Sequence, residues 1–265
     1  MPICKLKNGV ELAYRISGAG QPFTFIHGVG AYKESWDGVI EALPQGCYRT
    51  CTYDLRGHGD SAKIPGPYSL EAFCRDLTGL LDALSIERTV LAGFSLGGLI
   101  AQAFALSQPQ RVEKLVLIST VADRTDDEKR RVAERAKDFS SKGSERHLAD
   151  SLERWFTKDF IEQRPDILEE RLRRVRENDP QCYAATYQVL AGNDLADHLG
   201  SIRIPTLVMT GENDIGSTPR MAAVMKERIA DCRLRILPDL RHSLLLEAPA
   251  LVAQEIERFL ADTDR

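Results

Sequence analysis

The stretch from Val90 to Ala105, VLAGFSLGGLIAQAFA, constrains this chain more than any other. A buried apolar run passes into a helix of small residues through Gly93-Phe94-Ser95-Leu96-Gly97, a GxSxG pattern. A turn this sharp forces its central residue into a strained backbone conformation, and the residues two positions away must be glycine-sized for the chain to bend. The bend carries the Ser95 hydroxyl over the end of a sheet, at the positive N-terminal end of the next helix, where a negative oxygen is favoured. Ser95 is therefore the candidate nucleophile. Five residues with two glycines also arise by chance, so the rest of the chain must supply the partners that a serine needs.

Around that turn, strand and helix patterns alternate. Residues 3 to 16 alternate apolar and polar side chains about Asn8-Gly9, which predicts an antiparallel hairpin at a sheet edge. The apolar run PFTFI ends in the loop His27-Gly28-Val29-Gly30, ahead of a helix carrying Trp36, Val39, Ile40 and Leu43. No GxGxxG follows, nor GKS or GKT, so the loop is not read as a phosphate cradle. Tyr48 to Asp54 is the next strand and runs into a tight loop in which His58 and Asp60 read as bracing hydrogen-bond formers. A helix from Ser69 to Ser85 with Ser69 as N-cap, a strand from Arg88 to Phe94, a helix from Leu96 to Gln108 and a strand from Val112 to Ile118 follow.

From Ala122 to about Leu199 strand signals vanish, replaced by helical stretches whose interspersed charges, as in residues 166–178, read as a solvated face. Strand patterns return at Ile204 to Gly211 and Leu234 to Leu237, with helices from about Thr218, Pro219 at its first position, and from Glu247 to Leu260. The expected fold class is α/β, a mostly parallel sheet covered on both faces, with active groups in loops beyond the strands' carboxyl ends. Residues 1–121 and 200–265 form the expected core domain and residues 122–199 an inserted helical cap.

Composition limits the partners. The 265 residues are 43% hydrophobic and 28% charged, with a net charge of −4, which offers no field for nucleic acid and favours a small-molecule partner. No apolar run nears the roughly 18 residues that span a bilayer, and the N-terminus lacks the apolar core of a signal peptide. No membrane partner is expected, and the location reads as cytoplasmic. The six cysteines show no CxxC pair and read as buried free thiols rather than metal ligands.

A serine hydroxyl is a poor nucleophile at neutral pH; it needs a base within hydrogen-bond reach and a third group to orient that base. His27 and His58 sit in glycine loops, and His147 and His198 in the helical insertion, whereas His242 follows the last strand and is the expected base. Asp214, in a turn just past its strand, is the expected acid, with Asp123 as second candidate. Two backbone N–H donors facing the oxyanion are each worth roughly 3 kcal/mol, and Val29 and Leu96 are placed to supply them. Trp155, Phe156, Tyr183 and Tyr187 of the insertion, over His27 and Gly28, are the candidate pocket walls, with His27 chiefly a brace for its own loop.

With FIHGVG, DLRGHGDS, GFSLGG, GENDIGSTP and RHSLLLEAP in that order, the chain resembles the α/β-hydrolase family along essentially its whole length. The resemblance implies an eight-stranded mostly parallel sheet, a helical cap after the sixth strand, and Ser95, Asp214 and His242 as nucleophile, acid and base. Within the family the chain is most similar to 3-oxoadipate enol-lactonases and small carboxylesterases, through GFSLGGLIAQAFALSQPQRVEKLVL, RWFTKDF and NDPQCYAATYQVLAGNDL. The implied activity is hydrolysis of a small ester or lactone through an acyl-enzyme, with no metal or cofactor. An acidic lactone would bring a carboxylate that needs a buried cation, for which Arg154, Arg173 and Arg241 are the candidates by position. Two alternatives share the fold: hydrolysis of a carbon–carbon bond in a ring-cleavage product, and non-catalytic ligand binding. Enzymes of the first kind commonly carry Gly-Pro-Gly after the HG pair, where this chain reads HGVGAY. Haloalkane dehalogenases and epoxide hydrolases carry aspartate where Ser95 stands.

Overall fold

A computed structural model describes residues 2–142 and 151–262. Eight strands form one sheet in the order β1-β2-β4-β3-β5-β6-β7-β8. β1 (Ile3–Lys5) and β2 (Glu11–Ser17) make the antiparallel hairpin at one edge, and Gly9 takes the positive φ of 84° that its turn requires. β2 also pairs antiparallel with β4 (Tyr48–Tyr53). From β4 across β3 (Gln21–Ile26), β5 (Thr89–Phe94), β6 (Val112–Ile118), β7 (Thr206–Gly211) and β8 (Cys232–Leu237) every pairing is parallel. Parallel neighbours need long crossovers, and the intervening helices provide them.

β3 lies between β4 and β5, so the chain leaves β3 toward one side of the sheet and later returns on the other. Loops at such a reversal splay apart and leave a crevice beyond the carboxyl ends of the strands. The loops after β3 and β5 carry Gly28-Val29 and Ser95, and both open into that crevice.

Both faces of the sheet are covered. One core packs the helices Leu70–Ala83, Leu96–Ser107 and Pro219–Arg228, and the other packs Asp37–Ala42 and Pro249–Ala261. The first of these helices buries Leu70, Phe73, Leu77, Leu80 and Leu81, a stripe at helical spacing, and the Ser69 hydroxyl accepts the Ala72 N–H at 3.2 Å as its N-cap.

Several boundaries differ from the sequence expectation. The helix expected around Trp36 is a 3-10 turn, Lys33–Trp36, followed by Asp37–Ala42. β8 begins at Cys232, two residues earlier than the pattern suggested. The last helix is broken: Leu244–Glu247 ends at Ala248, and Pro249 opens a new helix to Ala261. Proline lacks the N–H that would continue the earlier helix and pushes the preceding residue out of the helical region. Five cysteines are buried and free as expected, and Cys47 is exposed.

Between β6 and β7 the described chain is helical: Asp126–Lys142, Lys158–Gln163, Pro165–Arg176 and Pro180–Gly192. Val132, Ala136, Val175, Tyr183 and Tyr187 form a small core of their own there. The solvated-face reading of these helices fails at one position. Arg171 stands in the inward stripe of Pro165–Arg176, between Leu168 and Val175, and is buried with them. Spacings of three and four residues put all three side chains on one face, whatever their polarity.

Candidate active site

The turn after β5 has the strain that its sequence requires. Ser95 holds φ 55° and ψ −116°, its N–H donates to the Ile118 carbonyl at 2.9 Å, and its carbonyl accepts the Thr120 hydroxyl at 2.8 Å. A Cβ on Gly93 would stand 2.2 Å from the Gly97 carbonyl oxygen, and one on Gly97 2.2 Å from that of Ile26. Only glycine fits either place.

His242, in the loop beyond β8, reaches both partners. Its Nε2 lies 3.2 Å from Ser95 Oγ and its Nδ1 2.7 Å from Asp214 Oδ2. Asp214 is fixed in turn, because its Oδ1 accepts the amides of Gly216 at 2.8 Å and Ser217 at 2.9 Å. With Nδ1 donating to the carboxylate, Nε2 is left as an acceptor for the serine proton. Asp123, the second candidate acid, is elsewhere: it pairs with Arg220 and Arg228 at 3.3 Å each. His198 is exposed in a 3-10 turn, and His147 lies outside the described residues.

The loop after β3 passes close to the serine, since a Cβ on Gly28 would stand 3.0 Å from Ser95 Cβ. Among the described residues, neither the Val29 nor the Leu96 N–H has a protein acceptor. The Leu96 amide is one of those a helix start leaves unpaired. His27 and His58 are fully buried braces: burial pushes each down to about 3, so both are neutral.

A cavity of about 280 Å³ opens over Ser95 and His242, with Gly28 and Val29 in its wall and Trp155, Tyr183 and Tyr187 reaching it from the helical segment. Two expected wall residues do not line it. His27 lies beneath, with both ring nitrogens engaged by backbone, and Phe156 turns away to stack on Phe160 with ring centroids 5.2 Å apart. Trp155 and Phe156 are consecutive, so they cannot face the same way.

Arginines dominate the polar lining. Arg124, Arg131, Arg135, Arg154 and Arg171 contribute to it, against the carboxylates Glu128 and Asp214. Glu128 is engaged by Arg220 at 2.6 Å, Asp214 by His242 and Arg131 by Asp127, and the remaining four guanidiniums leave the lining with an excess of positive charge. Burial pushes both Arg154 and Arg171 down from the usual guanidinium range. Of the arginines proposed from sequence, Arg154 reaches the cavity. Arg173 is exposed and pairs with Glu170 and Glu177, and Arg241 is not part of the lining. Sequence reasoning missed Arg124, Arg131, Arg135 and Arg171. A signal for two of them exists: Glu128, Arg131, Val132 and Arg135 repeat at the spacing of one helix face.

The fold and this site define the class. The sequence profile of the α/β hydrolase fold matches residues 21–249, and the chain belongs to that family. It is similar to (E)-2-((N-methylformamido)methylene)succinate hydrolase of Acinetobacter baylyi, 30% identical over 262 residues, 98% of this chain and 97% of the relative. It is likewise 30% identical over 264 residues to 3-oxoadipate enol-lactonase 2 of the same organism, covering 97% of each chain. The crystal structure of the enol-lactonase from Burkholderia xenovorans superposes with a TM-score of 0.92 at 29% identity, over 98% of this chain and 100% of that one.

Proposed function

We propose that the protein is a serine hydrolase that opens a small ester or lactone carrying a free carboxylate. The observation that carries this reading is the continuous hydrogen-bond line from Ser95 Oγ through His242 to Asp214. Ser95 attacks the substrate carbonyl while His242 Nε2 takes its proton, and the Val29 and Leu96 amides bind the resulting oxyanion. His242 then returns the proton to the leaving oxygen. Water, deprotonated by the same nitrogen, cleaves the acyl-enzyme and restores the serine. Asp214 holds the imidazole in the tautomer that this cycle needs. Residues 122–199 act as a cap over a core formed by residues 1–121 and 200–265.

The carboxylate preference comes from the arginine lining. A dry guanidinium meets a carboxylate with strong, charge-assisted hydrogen bonds. The similar hydrolase is named for a substituted succinate, an acidic substrate of this kind. The test compares p-nitrophenyl butanoate with the p-nitrophenyl monoester of succinic acid, which carries a carboxylate where the butanoate ends in a methyl. The reading predicts turnover of both, at least about tenfold higher kcat/KM for the acidic ester, and loss of both in Ser95→Ala. Equal use of the two esters would contradict the carboxylate preference.

A further inference from the structure

We infer that Arg171 is a positioning residue for the oxyanion-binding loop: reaching in from the helix Pro165–Arg176, its guanidinium clamps the Val29 and Gly30 carbonyls and so holds the two peptides that follow the Val29 N–H, whose own peptide His27 and Ala31 hold. The inference rests on the serine-hydrolase reading and adds a link from the helical segment to the reacting carbonyl.

Peptide geometry carries the argument. A trans peptide is planar, with its C=O and N–H pointing to opposite sides, so fixing one fixes the other. In the peptide that contains the Val29 N–H, the Gly28 carbonyl accepts from His27 Nδ1 at 2.8 Å and from the Ala31 amide at 3.2 Å. In the next peptide, the Gly30 amide donates to His58 Nε2 at 3.0 Å and the Val29 carbonyl receives Arg171 Nη2 at 3.5 Å. The Gly30 carbonyl takes Arg171 Nη1 and, at 3.5 Å, Asn178 Nδ2. From the Gly28 carbonyl to the Gly30 carbonyl, every polar backbone atom has a partner among the described residues except the Val29 N–H. The two histidines hold this loop from the core side, and Arg171 holds it from the helical segment.

The cation itself has work that a neutral donor would not do. Arg171 is 9% exposed, its guanidinium lies over the Trp155 ring at 4.9 Å, and no carboxylate pairs with it among the described residues. Glutamine, one of the shorter neutral donors, would not reach both carbonyls from the same helix position, and a buried charge costs desolvation that its placement must repay. A positive charge beside the place where a negative oxygen develops stabilises the transition state selectively. The fit is also tight. Gly30 holds φ 63°, and a Cβ there would stand 2.5 Å from the Tyr183 ring, so only glycine lets the loop lie this close to the helical segment.

The test uses p-nitrophenyl acetate, which has no carboxylate for an arginine to bind, and benzeneboronic acid, whose tetrahedral serine adduct places an oxygen in the oxyanion position. Wild type, Ser95→Ala, Arg171→Gln and Arg171→Lys are compared, with acylation rates normalised to serines labelled by a fluorophosphonate. Arg171→Gln is expected to acylate about 10- to 100-fold more slowly and to bind the boronate more weakly by a similar factor, with Arg171→Lys recovering part of both. Should the glutamine variant fail to fold, the lysine variant decides, with an expected loss of about 3- to 10-fold. Unchanged acylation with a raised KM for an acidic ester alone would overturn the proposal, as would a lowered Tm with normal acylation per labelled serine. A wild type inert toward p-nitrophenyl acetate would sink the serine-hydrolase reading and the clamp with it.

Discussion

His27 and His58 brace each other's loops across the carboxyl ends of β3 and β4, their rings 5.2 Å apart. His27 Nε2 accepts the Leu55 amide at 3.0 Å, in the loop that carries His58, and His58 Nε2 accepts the Gly30 amide at 3.0 Å, in the loop that carries His27. Each ring donates from Nδ1, to the Gly28 carbonyl at 2.8 Å and to the Arg56 carbonyl at 3.2 Å. Neither Nε2 can gain a proton without losing its hydrogen bond. The Val29 amide thus sits in a loop whose geometry depends on two neutral histidines.

That dependence gives stability a pH signature. Both histidines are held down at about 3 in the folded chain, against an ordinary value near 6.5. Between those values the unfolded chain binds protons that the folded chain does not, so stability falls as pH drops below about 6.5. At pH 5 the loss is roughly 2 kcal/mol for each histidine. Urea unfolding at pH 7 and pH 5 measures it. His58→Gln, which keeps a donor and an acceptor but does not titrate, should lose less stability between the two pH values than wild type by about that amount; an identical pH dependence would refute the brace.

The acid assignment is tested by Asp214→Asn and Asp123→Asn. The first should lower kcat about 10⁴-fold by leaving the imidazole in the wrong tautomer. The second removes a group that only pairs with Arg220 and Arg228, and its kcat should stay within about threefold of wild type. The reverse pattern in steady-state kinetics would move the acid to Asp123.

The bend itself predicts a contrast between glycines. Gly93→Ala drives a Cβ into the Gly97 backbone and should cost about 3 kcal/mol or more. Gly192→Ala, with open space around its Cβ, should change stability by no more than about 1 kcal/mol. Chemical denaturation of the two variants makes the comparison.

Arg154→Met should raise KM for the p-nitrophenyl monoester of succinic acid about tenfold or more, as expected for losing a charge-assisted hydrogen bond. Its KM for p-nitrophenyl acetate should change by less than about threefold. Equal effects on both esters would point to lost packing rather than a lost carboxylate contact.

Much of this site was legible because it is local. Ser95, Asp214 and His242 each stand just past a strand that is readable from its apolar run, and parallel strands bring such loops to one edge. The glycines of the turn announce themselves by spacing alone. Arg171 was not legible, because its charge argued for solvent while its position between Leu168 and Val175 argued for burial, and only packing decides between them. Phe156 was misplaced for a similar reason. Two adjacent aromatics at a helix end both need cover, and the sequence does not say which one turns toward the cavity. The break at Ala248 was missed, since the expected helix ran from Glu247 through Pro249, although the proline carries the signal.

Activation of Ser95 is measured most directly by labelling with a fluorophosphonate, followed by mapping of the adduct by mass spectrometry. One adduct is expected, on Ser95, and none in His242→Ala, because the base that activates the serine is gone. An adduct on another serine, or a folded wild type that stays unlabelled, would contradict it.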